Sequence, residues 1–437
     1  MPTIRFAALL AALVVAAAPG APAADWPQWG GPDRDFTLPG TTLPPTFGPG
    51  GPALRWTRPI GDGFSAVVTR GNHGFTVYRE GDRDVALAFD LSTGETVWEH
   101  RSEAPFVERC SQRIGPAPRA TPLVAGDRLF TASAGGRLLA LDRATGSELW
   151  QTDLFAEAPE HVKPCGYSSS PLAHGDNIIV LTGVPGRSIA ALRQSDGAAV
   201  WQRHDFSIGY SSPLVATLGG RTQIVALMGA EVVALAPDTG DLLWQHPHPT
   251  LSQVNVSMPV VGDDGLVLIS SAYDGGSRVI RVGAANGRPQ VDEVWSHQRL
   301  RVHFGSIVRI GDMAIGASGD TAVALLTAVD VPTGRLLWRS RAASNASLIA
   351  AGGRLLILDE DGDLLLATPE HTGLTVDDRA PVLTGTSWTP PTLADRTVLV
   401  RNRTTLAAYE LPATDSAVAG TRSTDPVART SPRPAGR

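Results

Sequence analysis

Seven of the ten tryptophans, Trp56, Trp98, Trp150, Trp201, Trp244, Trp295 and Trp338, follow one another at gaps of 42, 52, 51, 43, 51 and 43 residues. A period of that size belongs to chains built by repeating one supersecondary unit, and it excludes folds whose elements occur once. Six of these tryptophans close the same phrase. Ala88-Phe89-Asp90-Leu91-Ser92-Thr93-Gly94 precedes Trp98, and Ala140-Leu141-Asp142-Arg143-Ala144-Thr145-Gly146 precedes Trp150. Gly197, Gly240 and Gly334 hold the same place before Trp201, Trp244 and Trp338. Gly287 stands at a longer spacing before Trp295, and Gly373 continues the series with Asp377 in the tryptophan position.

Each phrase has the physics of a β-hairpin, because residues alternate in character with a period of two before the turn and again toward the tryptophan. The glycine supplies the positive φ that closes the turn. The short polar residue before it (Thr93, Thr145, Asp196, Thr239, Asn286, Thr333 or Thr372) can hydrogen-bond the turn backbone. Upstream of each hairpin stands a strand that opens with small residues: Ala120-Thr121-Pro122-Leu123, Ser169-Ser170-Pro171-Leu172, Ser211-Ser212-Pro213-Leu214 and Ser257-Met258-Pro259-Val260. Gly305-Ser306-Ile307 and Ala346-Ser347-Leu348 are versions without proline. Small side chains suit strands that converge on a shared axis. Between the landmarks, Gly126-Asp127-Arg128, Gly175-Asp176-Asn177 and Gly311-Asp312-Met313 read as tight turns into a second strand.

A unit is therefore four strands, an inner one of small residues, two more, and an outer one carrying tryptophan. That is one blade of a propeller. Seven units run from about Gly63 to Pro381, and Trp388-Thr389-Pro390-Pro391-Thr392-Leu393 with Thr397 to Glu410 supplies three strands of an eighth. The missing outer strand is Ala53-Leu54-Arg55-Trp56-Thr57-Arg58. The expected fold is all-β, an eight-bladed β-propeller over residues 25–412, its ring closed by the amino-terminal strand so that two strand edges disappear. A β-sandwich does not explain eight equivalents of one unit.

The ends read differently. Met1 to Ala24 carries Arg5, an apolar run from Phe6 to Ala18, and Ala21-Pro22-Ala23 just before Asp25, the pattern of a secretory signal peptide cleaved after Ala23 or Ala24. The run is shorter than the roughly 20 residues a membrane span needs. No cysteine follows it to accept a lipid, so a soluble, non-lipidated, periplasmic or extracellular monomer is expected. Residues 413–437 are polar, contain proline and lack aromatics, which reads as a disordered tail. With 37 basic and 43 acidic residues the net charge is −6, so nucleic acid is not the expected partner. Lys163 is the only lysine, which removes most lysine-dependent catalysis.

The unit Ala-x-Asp-x-x-Thr-Gly-x-x-x-Trp, with the opening Asp25-Trp26-Pro27-Gln28-Trp29-Gly30-Gly31-Pro32, resembles the PQQ-like repeat. Quinoprotein dehydrogenases and BamB-like outer-membrane assembly factors share that repeat. The resemblance implies the propeller fold and leaves two functional classes. In the enzymes it implies pyrroloquinoline quinone over calcium near the axis, usually beside a vicinal cysteine pair and with an aspartate base. This chain has no Cys-Cys dipeptide, is shorter, and offers no matching motif for the base. The expected function is a non-catalytic scaffold that binds a protein or polymer partner at the cell envelope, without cofactor. The alternative is an enzyme with its site at the central funnel, either a quinoprotein dehydrogenase using pyrroloquinoline quinone and calcium or a propeller acting on sugars. The BamB-like members are anchored lipoproteins, and this chain departs from them in lacking the lipid-attachment cysteine.

Cys110 and Cys165 lie in loops entering the inner strands of adjacent blades, so a disulfide stapling blades 2 and 3 is expected, the alternative being two unpaired thiols. Closing a loop of 55 residues is worth roughly 4 kcal/mol in the chain-entropy picture. His100, His204, His246 and His297 sit at equivalent places after blade tryptophans, rotated around the ring, so they do not converge on one ion and no metal is expected there. Asp359-Glu360-Asp361-Gly362-Asp363 reads as a solvated hairpin turn, its glycine misplaced for an EF-hand. Phe64, Arg119, Tyr167, Tyr210, Asn255, His303, Asn345 and Trp388 stand at or just before inner strands, and ring geometry should gather them at one mouth of the channel as a ligand or peptide funnel.

Overall fold

The computed structural model describes residues 25–106, 109, 115–285, 288–320 and 323–414. They form eight four-stranded antiparallel sheets arranged as the blades of a propeller. Blade 1 runs Val68–Arg70, His73–Glu80, Arg83–Asp90, Thr96–Glu103 from the axis outward, and the next six blades repeat that order. Blade 8 takes Thr392–Ala394, Thr397–Arg401 and Thr405–Glu410 from the carboxyl-terminal side and Ala53–Pro59 from the other end, paired from Ala53↔Glu410 to Pro59↔Thr405. The ring is closed as the sequence predicts.

The middle strands of a blade are buried on both faces, so they are largely apolar: Phe75 to Tyr78, with Thr76 among them, and Val85 to Phe89 in blade 1 are buried. The core accordingly lies between blades. Val68, Phe75, Ala88 and Trp98 of blade 1 pack on Val124, Leu129, Leu139 and Leu141 of blade 2. Five of the turn glycines meet the tryptophan of the preceding blade. A Cβ on Gly94, Gly146, Gly197, Gly240 or Gly334 would sit 2.5, 2.5, 2.8, 2.5 or 2.7 Å from the indole of Trp56, Trp98, Trp150, Trp201 or Trp295. Glycine is thus required twice, for φ near +70° and for the close approach. The indole nitrogens of these tryptophans donate to Leu91, Arg143, Gln194, Pro237 and Val331 carbonyls, each three residues before the glycine.

Two units depart from this scheme. Trp244 donates instead to Gln223 Oε1 of its own blade at 2.6 Å. The hairpin it would meet is the long pair Gly276–Ala285 and Arg288–His297, and Asn286 and Gly287 lie outside the described residues. In blade 7, Gly373 pairs with Glu370 across a two-residue turn, has no positive φ and would carry a Cβ into open space. The shorter turn slips the register by one, so Asp378 rather than Asp377 occupies the paired place that Trp98 takes opposite Ala88.

The small residues opening the inner strands serve as connectors. Ala66 N–H donates to Thr121 Oγ1, Thr121 N–H to Ser170 Oγ and Ser170 N–H to Ser212 Oγ, handing backbone donors from blade to blade at 3.0, 2.9 and 2.9 Å. Their N–H groups have no strand neighbour toward the axis, and a hydroxyl from the next blade satisfies them. The segment 25–52, which the repeat does not predict, crosses the opposite end of the channel, on the side where inner strands turn back. Thr69 N–H donates to Trp26, Val124 N–H to Pro27 and Ala350 N–H to Phe36, tying blades 1, 2 and 7 together. Trp26, Phe36, Leu38, Leu43 and Phe47 are buried by it. Arg34 donates to the Ser170 and Pro171 carbonyls of the blade 3 inner-strand segment, and burial pushes its guanidinium down to about 9.

Candidate functional site: the open mouth of the channel

The other mouth is built by the segments that enter the inner strands. Side chains there alternate, as extended backbone requires. Counting back four residues from the inner strands that begin at Val68, Leu123, Leu172, Leu214, Val260 and Thr392 gives Phe64, Arg119, Ser168, Tyr210, Val256 and Trp388, all half-buried at the mouth. Counting back five gives Gly63, Pro118, Tyr167, Gly209, Asn255 and Ser387, all buried within blades. Tyr167 and Asn255 therefore leave the expected funnel. Tyr167 packs edge-on against Phe155 at 5.8 Å, and burial pushes its phenol far up. Ser168, Val256 and Phe304 are mouth residues that the sequence pattern did not single out; the two-residue alternation was the signal that could have found them.

Half of the mouth is an aromatic ladder. Arg403 lies over the Phe64 ring at 5.5 Å, Phe64 stacks on Trp388 at 5.9 Å and 17°, and Trp388 meets Phe304 at 5.1 Å. His303 joins Phe304 at 4.6 Å and Tyr273 at 4.9 Å, with the Tyr273 hydroxyl 3.1 Å from its Nε2. Desolvation holds the His303 imidazole below its ordinary range. Ion pairs close both ends, Arg403 with Asp62 and Arg301 with Asp320. Asn345, at φ +46°, turns aside to give Nδ2–H to Glu360 Oε1 at 2.7 Å, while Trp388 Nε1–H reaches Glu360 Oε2 at 3.2 Å. The other half is polar. Arg119 donates to the Gly115 and Ala117 carbonyls, and Lys163 lies over the Tyr210 ring at 5.6 Å. Cys165 is disulfide-bonded beside them; Cys110, its expected partner, lies outside the described residues.

Behind Asn255 is a serine–histidine pair that does not have the polarity of a nucleophile and its base. Arg278 Nε can only donate, and it lies 2.9 Å from His248 Nδ1. The imidazole proton is therefore on Nε2, which donates to Ser271 Oγ at 3.0 Å, and the Ser271 hydroxyl in turn donates to Asn255 Oδ1 at 2.7 Å. His248 and Asn255 are fully buried, and desolvation carries His248 down to about 3. The set is a satisfied structural network.

The family model described as outer membrane protein assembly factor BamB matches residues 81–323. The chain belongs to this family. Over 279 residues it is 25% identical to outer membrane protein assembly factor BamB of Yersinia pestis, covering 60% of this chain and 66% of that one. It is 30% identical over 203 residues to quinohemoprotein alcohol dehydrogenase ADH IIB of Pseudomonas putida, covering 40% of this chain and 29% of the enzyme. The chain thus spans just under two thirds of that BamB and under a third of that dehydrogenase. The solved structure of BamB from Moraxella catarrhalis superposes with a TM-score of 0.58 at 18% identity over 82% of this chain and 97% of that one, a likeness of fold.

In this BamB-family propeller the Phe64 and Trp388 rings leave no gap between them for a planar cofactor such as pyrroloquinoline quinone. A planar cofactor needs roughly 7 Å between flanking ring faces, twice a van der Waals contact, whereas Phe64 and Trp388 lie against each other. Both Glu360 oxygens accept hydrogen bonds, and Arg403 holds both Asp62 oxygens. The four histidines considered above are occupied separately between blades. His100 faces Glu148, His246 faces Glu293, and His204 and His297 lie beside the Gly240 and Gly334 carbonyls. Asp359 is buried, not solvated as the sequence suggested: its Oδ1 accepts the Asp361, Gly362 and Asp363 amides and so builds the turn.

Proposed function

We propose that this chain is an exported, non-catalytic scaffold of the cell envelope that engages a polypeptide or polymer partner through its open mouth, in the manner of an outer-membrane assembly factor. One observation carries this reading: the two mouths are unequal. Segment 25–52 covers one with buried side chains and backbone bonds to three blades. The other presents half-buried aromatic rings beside the polar groups of Arg119, Tyr210 and Lys163, a mixture suited to extended chains with alternating apolar and polar groups. The family supports the assembly role, the signal sequence expected over residues 1–24 would deliver the chain, and no helix among the described residues is long and apolar enough to cross a membrane.

A photo-crosslinking residue at Tyr210, compared with one at Thr41 on the covered side, tests the assignment. Adducts with outer-membrane assembly proteins should form from Tyr210 and not from Thr41; the reverse pattern refutes the proposed face. The dehydrogenase reading is tested by melting the mature protein with pyrroloquinoline quinone and calcium. No shift is expected, whereas ligand at 100 times its Kd would add about 2.7 kcal/mol and overturn the non-catalytic reading.

A further inference from the structure

On the covered side of the ring, three side chains from different strand ends meet between blades 6 and 7. Asp312 lies in the turn joining Val302–Ile310 to Met313–Ser318, Asp330 ends the strand Leu325–Asp330, and His371 sits in the turn between Asp363–Glu370 and Gly373–Pro381. One ligating atom of each lies within 4.8 Å of the others, and His371 Nε2 is 2.8 Å from Asp312 Oδ1.

We propose that Asp312, Asp330 and His371 form a zinc-type divalent metal site that staples blade 6 to blade 7. The first support is the state of Asp330, which is only 9% exposed. Its Oδ1 accepts from Thr333 N and Oγ1, and its Oδ2 receives no hydrogen bond among the described residues. With no donor on it, that oxygen keeps its lone pairs open to a cation.

The second support comes from the repeat, which supplies its own controls. In blade 1 the equivalent places hold Asn72 and Asp90, and Asn72 Nδ2–H donates to Asp90 Oδ2 at 2.6 Å. Blade 6 has Asp312 where that amide stands, so the donor is gone and a second negative charge faces Asp330. Blade 2 also has two carboxylates, Asp127 and Asp142, but Arg128 engages Asp127 at 2.6 Å. Blade 6 has Met313 where blade 2 has Arg128, and His371 arrives from the neighbouring blade instead. One imidazole and two carboxylates neutralise a divalent ion and favour zinc over calcium, which prefers an all-oxygen set. Three protein ligands leave a fourth position for water. Asp312 and His371 are exposed side chains on turns, able to close on the ion by rotamer change.

The test uses untagged, chelator-treated full-length protein, with calorimetric titration and melting in the presence of zinc or calcium. Zinc should bind saturably at one ion per chain and raise Tm, and calcium should do neither. His371→Ala should abolish both zinc effects. Asp312→Asn is the more informative variant: it should restore the blade 1 amide–carboxylate bond, melt no lower than the chelated parent, and still fail to bind zinc. Absence of saturable zinc binding overturns the proposal, as does binding that survives in both variants. If His371→Ala lowers Tm equally with and without zinc, the cluster is an ion pair only.

Discussion

A single indole in this propeller serves two blades at once. Trp150 packs against Phe130 of its own blade at 5.9 Å, lies under Gly197 of the next and donates to Gln194 there. Trp150→Ala should cost about 3 kcal/mol or more through the cavity it leaves, read as a shift in urea midpoint; an unchanged midpoint would remove tryptophan from the packing account. Two buried titratable groups give opposite pH signatures. Asp84, 5% exposed and 3.4 Å from Arg79, is raised by desolvation to about 7 from 3.8. The folded state keeps its proton longer, so its contribution to stability falls as pH rises through that window. His248, lowered to about 3 from 6.5, loses stability as pH falls through 6.5. Urea unfolding across pH 4 to 8 should therefore show Asp84→Asn gaining on the parent as pH rises, and a difference that does not grow would contradict the assignment. Neither group was visible in the sequence, because burial of a polar side chain depends on which blade faces it.

At the scale of an element, the blade hairpin was legible because its constraints are local: positive φ at Gly94, a capping Asp90, period-two alternation. The inner-strand approach was half legible. Sequence placed Phe64, Arg119, Tyr210 and Trp388 at the mouth, yet it could not fix the phase that sends Tyr167 and Asn255 into blades, since a one-residue slip reverses every side chain. Segment 25–52 was opaque, having no periodicity and spending its backbone bonds on distant strands. Deleting residues 25–47 should strip hydrogen-exchange protection from the amides of Thr69, Val124 and Ala350, whose acceptors are Trp26, Pro27 and Phe36. Protection in the second and third strands should persist, and full protection of the three amides would show that the segment is not what covers that mouth.

At the scale of the molecule, closure is enforced at one seam. Arg401 of blade 8, 1% exposed and pushed down to about 9 by burial, donates to the Gly63, Ser65 and Val77 carbonyls and to Thr76 Oγ1 of blade 1. Arg401→Leu leaves those acceptors dry and should cost about 3 kcal/mol or more, measured by denaturant unfolding, with the loss exceeding that of an exposed arginine such as Arg83. The sequence by itself determined the unit, the number of units and the way the two ends share blade 8, because a repeating pattern of glycine turns, alternation and tryptophan is written in neighbouring residues. Only the tertiary structure decided which mouth is covered, which side chains line the open one, and how Asp312, Asp330 and His371 come together. Each of those depends on contacts between segments far apart in the chain, set by the angle at which one blade meets the next.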